Sequence, residues 1–221
     1  MYSFSLRVFL QILPQVLKPL YITVVVCLVS GFFALILGTL VAMLRRSRFK
    51  PLSLSAAGYI AFIRATPLLI QIYFLYYGGQ RLGIVLSALA TGIIILTLHD
   101  AGYIAEIVRA GIESIDKNQY QAADALGFRF SQKMRLIVLP QAYRAILPPL
   151  TSQMSYLVKD TALLSVIGLP ELVKFARVTQ AETFRPIESY IPSIAGYLVL
   201  ILGTVYLSKM LENRWKKRGG A

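Results

Sequence analysis

Residues 22–44 contain no charged side chain. In lipid such a run has one stable form, because an α-helix satisfies every backbone N–H and C=O internally and about 20 residues of it cross a hydrocarbon core of roughly 30 Å. Four further stretches have similar reach. Residues 52–77 are interrupted at Arg64 and Pro67, and residues 82–98 continue past His99 and Asp100. Residues 145–169 carry Pro148, Pro149, Lys159 and Asp160, whereas residues 189–208 are again uncharged. The expected fold class is therefore all-α integral membrane, with about five transmembrane helices in one domain, 1–221. Composition agrees: 57% hydrophobic and 15% charged residues are too apolar for a water-soluble domain. The first run is too long for the core of a cleavable signal peptide, and no small-residue cleavage site follows it, so it is expected to be a signal-anchor helix.

The net charge of +13, from 23 Lys+Arg against 10 Asp+Glu, would point to nucleic acid on a soluble chain. On a membrane chain, position matters more than sum. With five crossings and Met1 outside, the inner segments collect Arg45, Arg46, Arg48 and Lys50, then six cations between Arg109 and Arg144, then Lys209, Arg214, Lys216, Lys217 and Arg218. That is fifteen against six outside, as the positive-inside rule requires. The clusters are read as topology anchors on anionic lipid, with no nucleic-acid partner. A lone Cys27 and a lone His99 exclude a disulfide framework and leave no metal site to expect.

A polar segment of nearly forty residues, 106–144, separates the third and fourth stretches, although a few would suffice to join two helices. Asp116 is placed to cap a helix over residues 117–126, with Gln119 as capping-box partner, Ile115 and Tyr120 at the staple positions, and Gly127 where a left-handed C-terminal cap belongs. Ser131 is a candidate cap for a second helix toward Leu139. Gln121-Ala122-Ala123, then Gly127, Ile137 and Leu139-Pro140 stand at the spacing of the EAA motif, and the loop resembles that of importer-type ABC permeases. That resemblance implies that the short helix, with Tyr120, Gln121, Ala122, Ala123 and Gly127, fits a cleft on a cytoplasmic ATPase and transmits its closure. Gln121 departs from the family's usual Glu and removes a charge-assisted contact while keeping a hydrogen-bonding amide.

Residues 64–71, Arg-Ala-Thr-Pro-Leu-Leu-Ile-Gln, are similar to the R-G-T-P-L-L-x-Q run of polar amino-acid permeases, with Ala65 in place of Gly. Residues 103–111, Pro140-Gln141-Ala142, Leu147-Pro148-Pro149 and residues 157–163 are similar to other hallmarks of that subfamily. The resemblance implies a type I importer transmembrane domain in a bacterial cytoplasmic (inner) membrane, N-terminus outside and C-terminus in the cytoplasm. It also implies an ATPase dimer beneath two permease subunits, alike or different, and an extracytoplasmic amino-acid-binding protein received on the outer surface, including residues 170–188.

Charges within spans face an aqueous cavity or a partner. An amino acid presents an ammonium and a carboxylate, so its path needs acceptors for one and donors for the other. Asp100 and Asp160 are candidate acceptors for the ammonium or a basic side chain, and Thr97 and Gln153 are candidate neutral contacts. Gln153 and Asp160 are seven apart and share a helix face; analogy with basic-amino-acid members of the family also implies contacts there. Other readings stand beside these. Lys159 and Asp160 form a structural pair or cap a broken helix, and Glu106 with Arg109 forms an intrahelical ion pair. Arg64 orders a kink at Thr66-Pro67, satisfies its freed carbonyls or meets the substrate, and His99 tunes selectivity or pH response or packs. Tyr73 to Tyr77 form an interfacial aromatic belt.

No G-x-x-x-x-G-K-[ST] loop occurs, so no ATP site, cofactor or catalytic residue is expected in this chain; ATP and Mg belong on the partner ATPase. The expected substrate is a cationic amino acid such as arginine, lysine or histidine, with glutamine, cystine or glutamate as alternatives. A passive channel would need a pore motif, for which the isolated Gly79-x-x-x-Gly83 is weak support. An intramembrane hydrolase would need a nucleophile with its base or a metal set, and this sequence offers little to build either.

Overall fold

A computed structural model describes residues 4–218. Met1, expected outside, the C-terminal residue Ala221, and the side chains of Glu212, Arg214, Lys216, Lys217 and Arg218 lie outside what is described. The chain opens with α1 (Leu6–Ile12), passes a 3₁₀ turn at Leu13–Val16 and continues into α2 (Leu17–Arg45). There follow α3 (Lys50–Ala65), α4 (Leu68–Tyr73), a π turn at Phe74–Gly78 and the short α5 (Gly79–Arg81). Beyond a loop come α6 (Ala88–Glu113), α7 (Lys117–Ala125), α8 (Phe130–Lys133), a second π turn at Met134–Val138 and α9 (Leu139–Asp160). A 3₁₀ segment, Thr161–Ile167, leads to α10 (Leu172–Thr183) and the long α11 (Pro186–Arg218).

Among the described residues, Leu6–Arg45, Ala88–Glu113 and Pro186–Met210 are long and apolar enough to cross a membrane. A fourth span is gained if α3 and the α4–α5 run are one crossing, bent by 105° at its break. The break has a local cause: Thr66, the residue before proline, is forced into extended backbone (φ −113°, ψ 137°), and Pro67 has no N–H to continue the helix. Two expectations shift. The third span begins at Ala88, not Leu82, because Gly83 takes a left-handed φ of 81° and Ser87 caps the helix by accepting from Ala90 N at 3.1 Å. The fourth expected stretch, 145–169, does not reach the apolarity of the others; α9 runs through Pro148 and Pro149 and ends at Lys159-Asp160, where the chain tightens to 3₁₀ at Thr161.

Helix α6 is central. Over half of its most apolar window, 56%, is buried, against 17% for α11, which leaves the outer face of α11 to lipid or a partner. Small residues let α2 approach its neighbours closely: Ser30, Gly31, Ala34, Gly38 and Ala42 are buried at helical spacing, Gly38 against Ile104 of α6 and Gly31 against Leu157 of α9. Polar side chains on α2 are satisfied within their own helix, Thr23 Oγ1 donating to Pro19 O at 3.0 Å and Ser30 Oγ to Val26 O.

At the α2 N-terminal end of the bundle, Glu188 accepts from Ser5 N at 2.7 Å and so ties α1 to α11. Nearby, fully buried Glu171 caps α10, accepting from Val173 N and Lys174 N, each at 2.7 Å, and from Tyr197 Oη at 2.8 Å. Burial holds its carboxyl above the usual carboxylate range.

Candidate substrate cavity and coupling loop

An open cavity of about 430 Å³ lies between α3, α6 and α9, with Arg64, Tyr103, Glu106, Ser114, Pro149 and Gln153 among its lining residues. Its size falls within the range of roughly 300–1,000 Å³ typical of small-molecule sites. Gln153 is buried in its wall, and its Nε2 donates at 2.6 Å to Oδ1 of fully buried Asp100 on α6. The other carboxylate oxygen, Oδ2, has no hydrogen-bond partner among the described residues. A buried polar atom left unmet inside a bundle is costly, and this one stands directly behind a residue that faces the cavity.

The remaining sequence candidates sit elsewhere. Thr97 turns to α2, where its Oγ1 lies 3.5 Å from Ser30 O beside an apolar groove that includes Phe33 and Leu37. Asp160 is half-buried as the last residue of α9 and does not line the cavity that Gln153 lines. No ion pair joins it to Lys159 among the described residues; the Lys159 ammonium instead lies 5.3 Å from the centre of the Tyr156 ring.

Glu106 and Arg109 do form the intrahelical pair: Arg109 Nε donates to Glu106 Oε2 at 3.1 Å and its Nη2 to Oε1, while Nη1 reaches Glu113. Arg64 does not satisfy the carbonyls at the break. Gln71 does, its Nε2 donating to Ile63 O and Thr66 O, each at 3.1 Å, and to Thr66 Oγ1 at 2.7 Å. His99 Nδ1 stands 3.2 Å from Gln71 Oε1, an oxygen that can only accept, so the histidine donates and fastens α6 to the broken span. In the sequence Gln71 stands only as the last letter of a motif, four residues after Pro67. Replacing Gln71 with Met is expected to leave the carbonyls of Ile63 and Thr66 unmet and cost about 1–3 kcal/mol. Thermal unfolding of the detergent-solubilised protein measures this, and an unchanged midpoint would remove Gln71 from the role.

The loop helix forms with the expected Asp116 and Gly127 caps but without the expected capping box, since Gln119 Oε1 accepts from Gln141 Nε2 at 3.5 Å instead. Asp116 Oδ1 accepts from Asn118 N at 2.8 Å, and Gly127, at φ 73°, closes α7 with a Schellman pair: Phe128 N to Ala123 O and Gly127 N to Asp124 O, both at 3.0 Å. Tyr120 and Ile115 pack on Ile112, Val138 and Ala142 as the staple pattern requires, and Lys133 pairs with Asp124. The second helix starts earlier than expected, capped at Arg129, whose N–H donates to Gln132 Oε1 at 2.9 Å, not at Ser131. Of the expected coupling residues, Ala123 is fully buried and Tyr120 half-buried against the chain's own helices, whereas Gln121, Ala122 and Gly127 are exposed beside Leu126.

A broken span wrapped on a central helix, a cavity beside the break and a tightly capped loop helix at the α6 C-terminus define the membrane domain of a type I importer. A model of the binding-protein-dependent transport system inner membrane component family matches residues 34–217, and the chain belongs to that family. It is 35% identical over 205 residues to the arginine transport system permease protein ArtQ of Bacillus subtilis (strain 168), covering 92% of this chain and 94% of that one. It is 36% identical over 199 residues to the probable glutamine ABC transporter permease protein GlnM of the same organism, covering 88% and 92%. A crystal structure of an amino acid ABC transporter with histidines superposes at a TM-score of 0.90, with 32% identity over 96% of this chain and 100% of that one. The MetNI methionine ABC transporter, inward facing, shares the fold at a TM-score of 0.75 and 18% identity. The chain is thus a membrane-embedded amino-acid ABC permease, a transport component whose ATPase is a separate subunit.

Proposed function

We propose that the chain, as one domain, imports a cationic amino acid by alternating access. Its N-terminus lies outside and its C-terminus in the cytoplasm, as the fifteen-to-six distribution of Lys and Arg supports. Two permease copies or paralogues enclose the path, an ATPase dimer carrying ATP and Mg docks on Gln121, Ala122, Leu126 and Gly127, and a substrate-loaded binding protein docks at the α10 end. ATP binding draws the loop helices together and opens the cavity outward; hydrolysis resets it. The chain itself holds no cofactor, metal or catalytic group and touches lipid, not nucleic acid.

The observation that carries the cationic reading is the Gln153–Asp100 bond at the cavity wall, with an unmet carboxylate oxygen behind it. Gln153 and Asp100 receive the cationic end of the substrate, and Asp160 at the end of α9 adds a second carboxylate along the way. The likeness to the arginine permease supports this reading, while the likeness to GlnM supports a second one in which the cargo is glutamine. Uptake by proteoliposomes containing the full complex and its binding protein separates them. Arginine, lysine or histidine is expected to accumulate, and Asp100→Asn to reduce uptake by about tenfold or more. Accumulation of glutamine or glutamate alone would sink the cationic reading.

A further inference from the structure

Arg64 is a cation inside a broken span, a costly position unless something answers its charge. No residue of the described chain pairs with it, although Glu106 attracts it at a distance. Both oxygens of Glu106, the carboxylate sharing its cavity, are taken by Arg109, and Glu113 takes the rest of that guanidinium. Across this cavity and the two beside it, four arginines, Arg45, Arg46, Arg64 and Arg109, meet only these two glutamates. Arg64 has no ion pair and no hydrogen-bond partner among the described residues. Its guanidinium carbon rests 5.7 Å from the centre of the Tyr103 ring, a contact that holds the group in place and leaves its N–H donors unspent.

An exposed, positioned guanidinium with free donors at an open cavity suits a carboxylate, which it meets through two parallel hydrogen bonds. Gln153 lines the same cavity, with fully buried Asp100 bonded behind it. The geometry points to Arg64 as the group that takes the substrate's α-carboxylate, so that the cavity reads an amino acid by both ends: carboxylate on Arg64, cationic or amide end toward Gln153 and Asp100. This rests on the cavity being the substrate path, as proposed above, but not on which side chain the substrate carries, since every α-amino acid has the carboxylate.

Equilibrium binding of radiolabelled amino acids to the purified permease–ATPase complex, without binding protein, tests it. The probes are L-arginine against L-argininamide and L-glutamine against its α-amide, pairs that differ only in whether the carboxylate is present. The wild-type complex is expected to bind the acid of its preferred pair at least about tenfold tighter than the amide. Arg64→Gln removes that preference by weakening the acid alone, and Arg64→Lys restores part of it. Equal binding of acid and amide by the wild type, which needs no substitution, overturns the assignment; so does an intact preference in Arg64→Gln. If neither pair binds the wild type at all, the cavity reading falls and this assignment falls with it.

Discussion

Replacing Gly127 with proline is expected to cut ATP-driven uptake by about a hundredfold while the assembled complex still hydrolyses ATP. The Schellman pair that ends α7 needs a residue at φ 73°, and it needs the Gly127 N–H, which donates to Asp124 O at 3.0 Å. Proline fixes φ near −65° and has no N–H, so both requirements fail, at about 3 kcal/mol or more. The damage is confined. Tyr120 and Ala123 are anchored on the chain's own helices, so the helix body persists, but Leu126, Gly127 and the turn into α8 change direction. Those exposed residues are the proposed ATPase contact, and a coupling error of about 3 kcal/mol corresponds to roughly a hundredfold in rate. Gly127→Ala, which only strains a left-handed residue, should cost less, about 1–2 kcal/mol, and Gly127→Asn less again because asparagine adopts αL more readily. Uptake in proteoliposomes should therefore fall in the order Asn, Ala, Pro. Full uptake by the proline variant would remove the loop helix from coupling.

The second large effect lies at the crossing of α2 and α6. A Cβ added at Gly38 would stand 2.7 Å from Ile104 Cβ and Cγ2 and 2.9 Å from the Ala101 carbonyl oxygen. Backbone cannot yield as a flexible side chain can, so Gly38→Ala should push the helices apart and cost about 1–3 kcal/mol, and Gly38→Leu more. Gly58, in α3, has nothing within 4 Å of the same added atom. There alanine should be neutral or stabilising by up to about 1 kcal/mol, since it is the better helix former. Melting of the two alanine variants in detergent compares close approach with propensity directly. Equal midpoints would mean that the α2–α6 contact is not limited by the glycine.

Much of the architecture is local and was legible for that reason. Apolar runs free of charge require membrane-length helices, Thr66-Pro67 requires a break, and Asp116 with Gly127 sets both ends of the loop helix; each follows from neighbours a few residues apart. Where local rules compete, element ends shift by a few residues. Residues 82–87 are apolar enough for lipid, yet Gly83 and the Ser87 cap stop the helix at Ala88. Ser131 is a good cap residue, but Gln132 reaching back to Arg129 fixes the start of α8 first.

The site is a different matter. Helical spacing placed Gln153 and Asp160 on one face, but spacing says nothing about what that face meets, and burial is decided by the neighbouring helix. Gln153 meets Asp100, 53 residues away; Asp160 stays half-buried where α9 yields to 3₁₀. Gln71 and His99 are likewise joined across 28 residues, which made a motif letter and an isolated histidine into one fastening. The sequence by itself determined the medium, the spans, the break and the capped loop helix, because these arise from hydrophobicity and backbone chemistry within a few residues. Only the tertiary structure decided which polar groups are spent on one another and which are not. That depends on partners far apart in the chain, and it is why Arg109 is neutralised while Arg64, equally charged, is not.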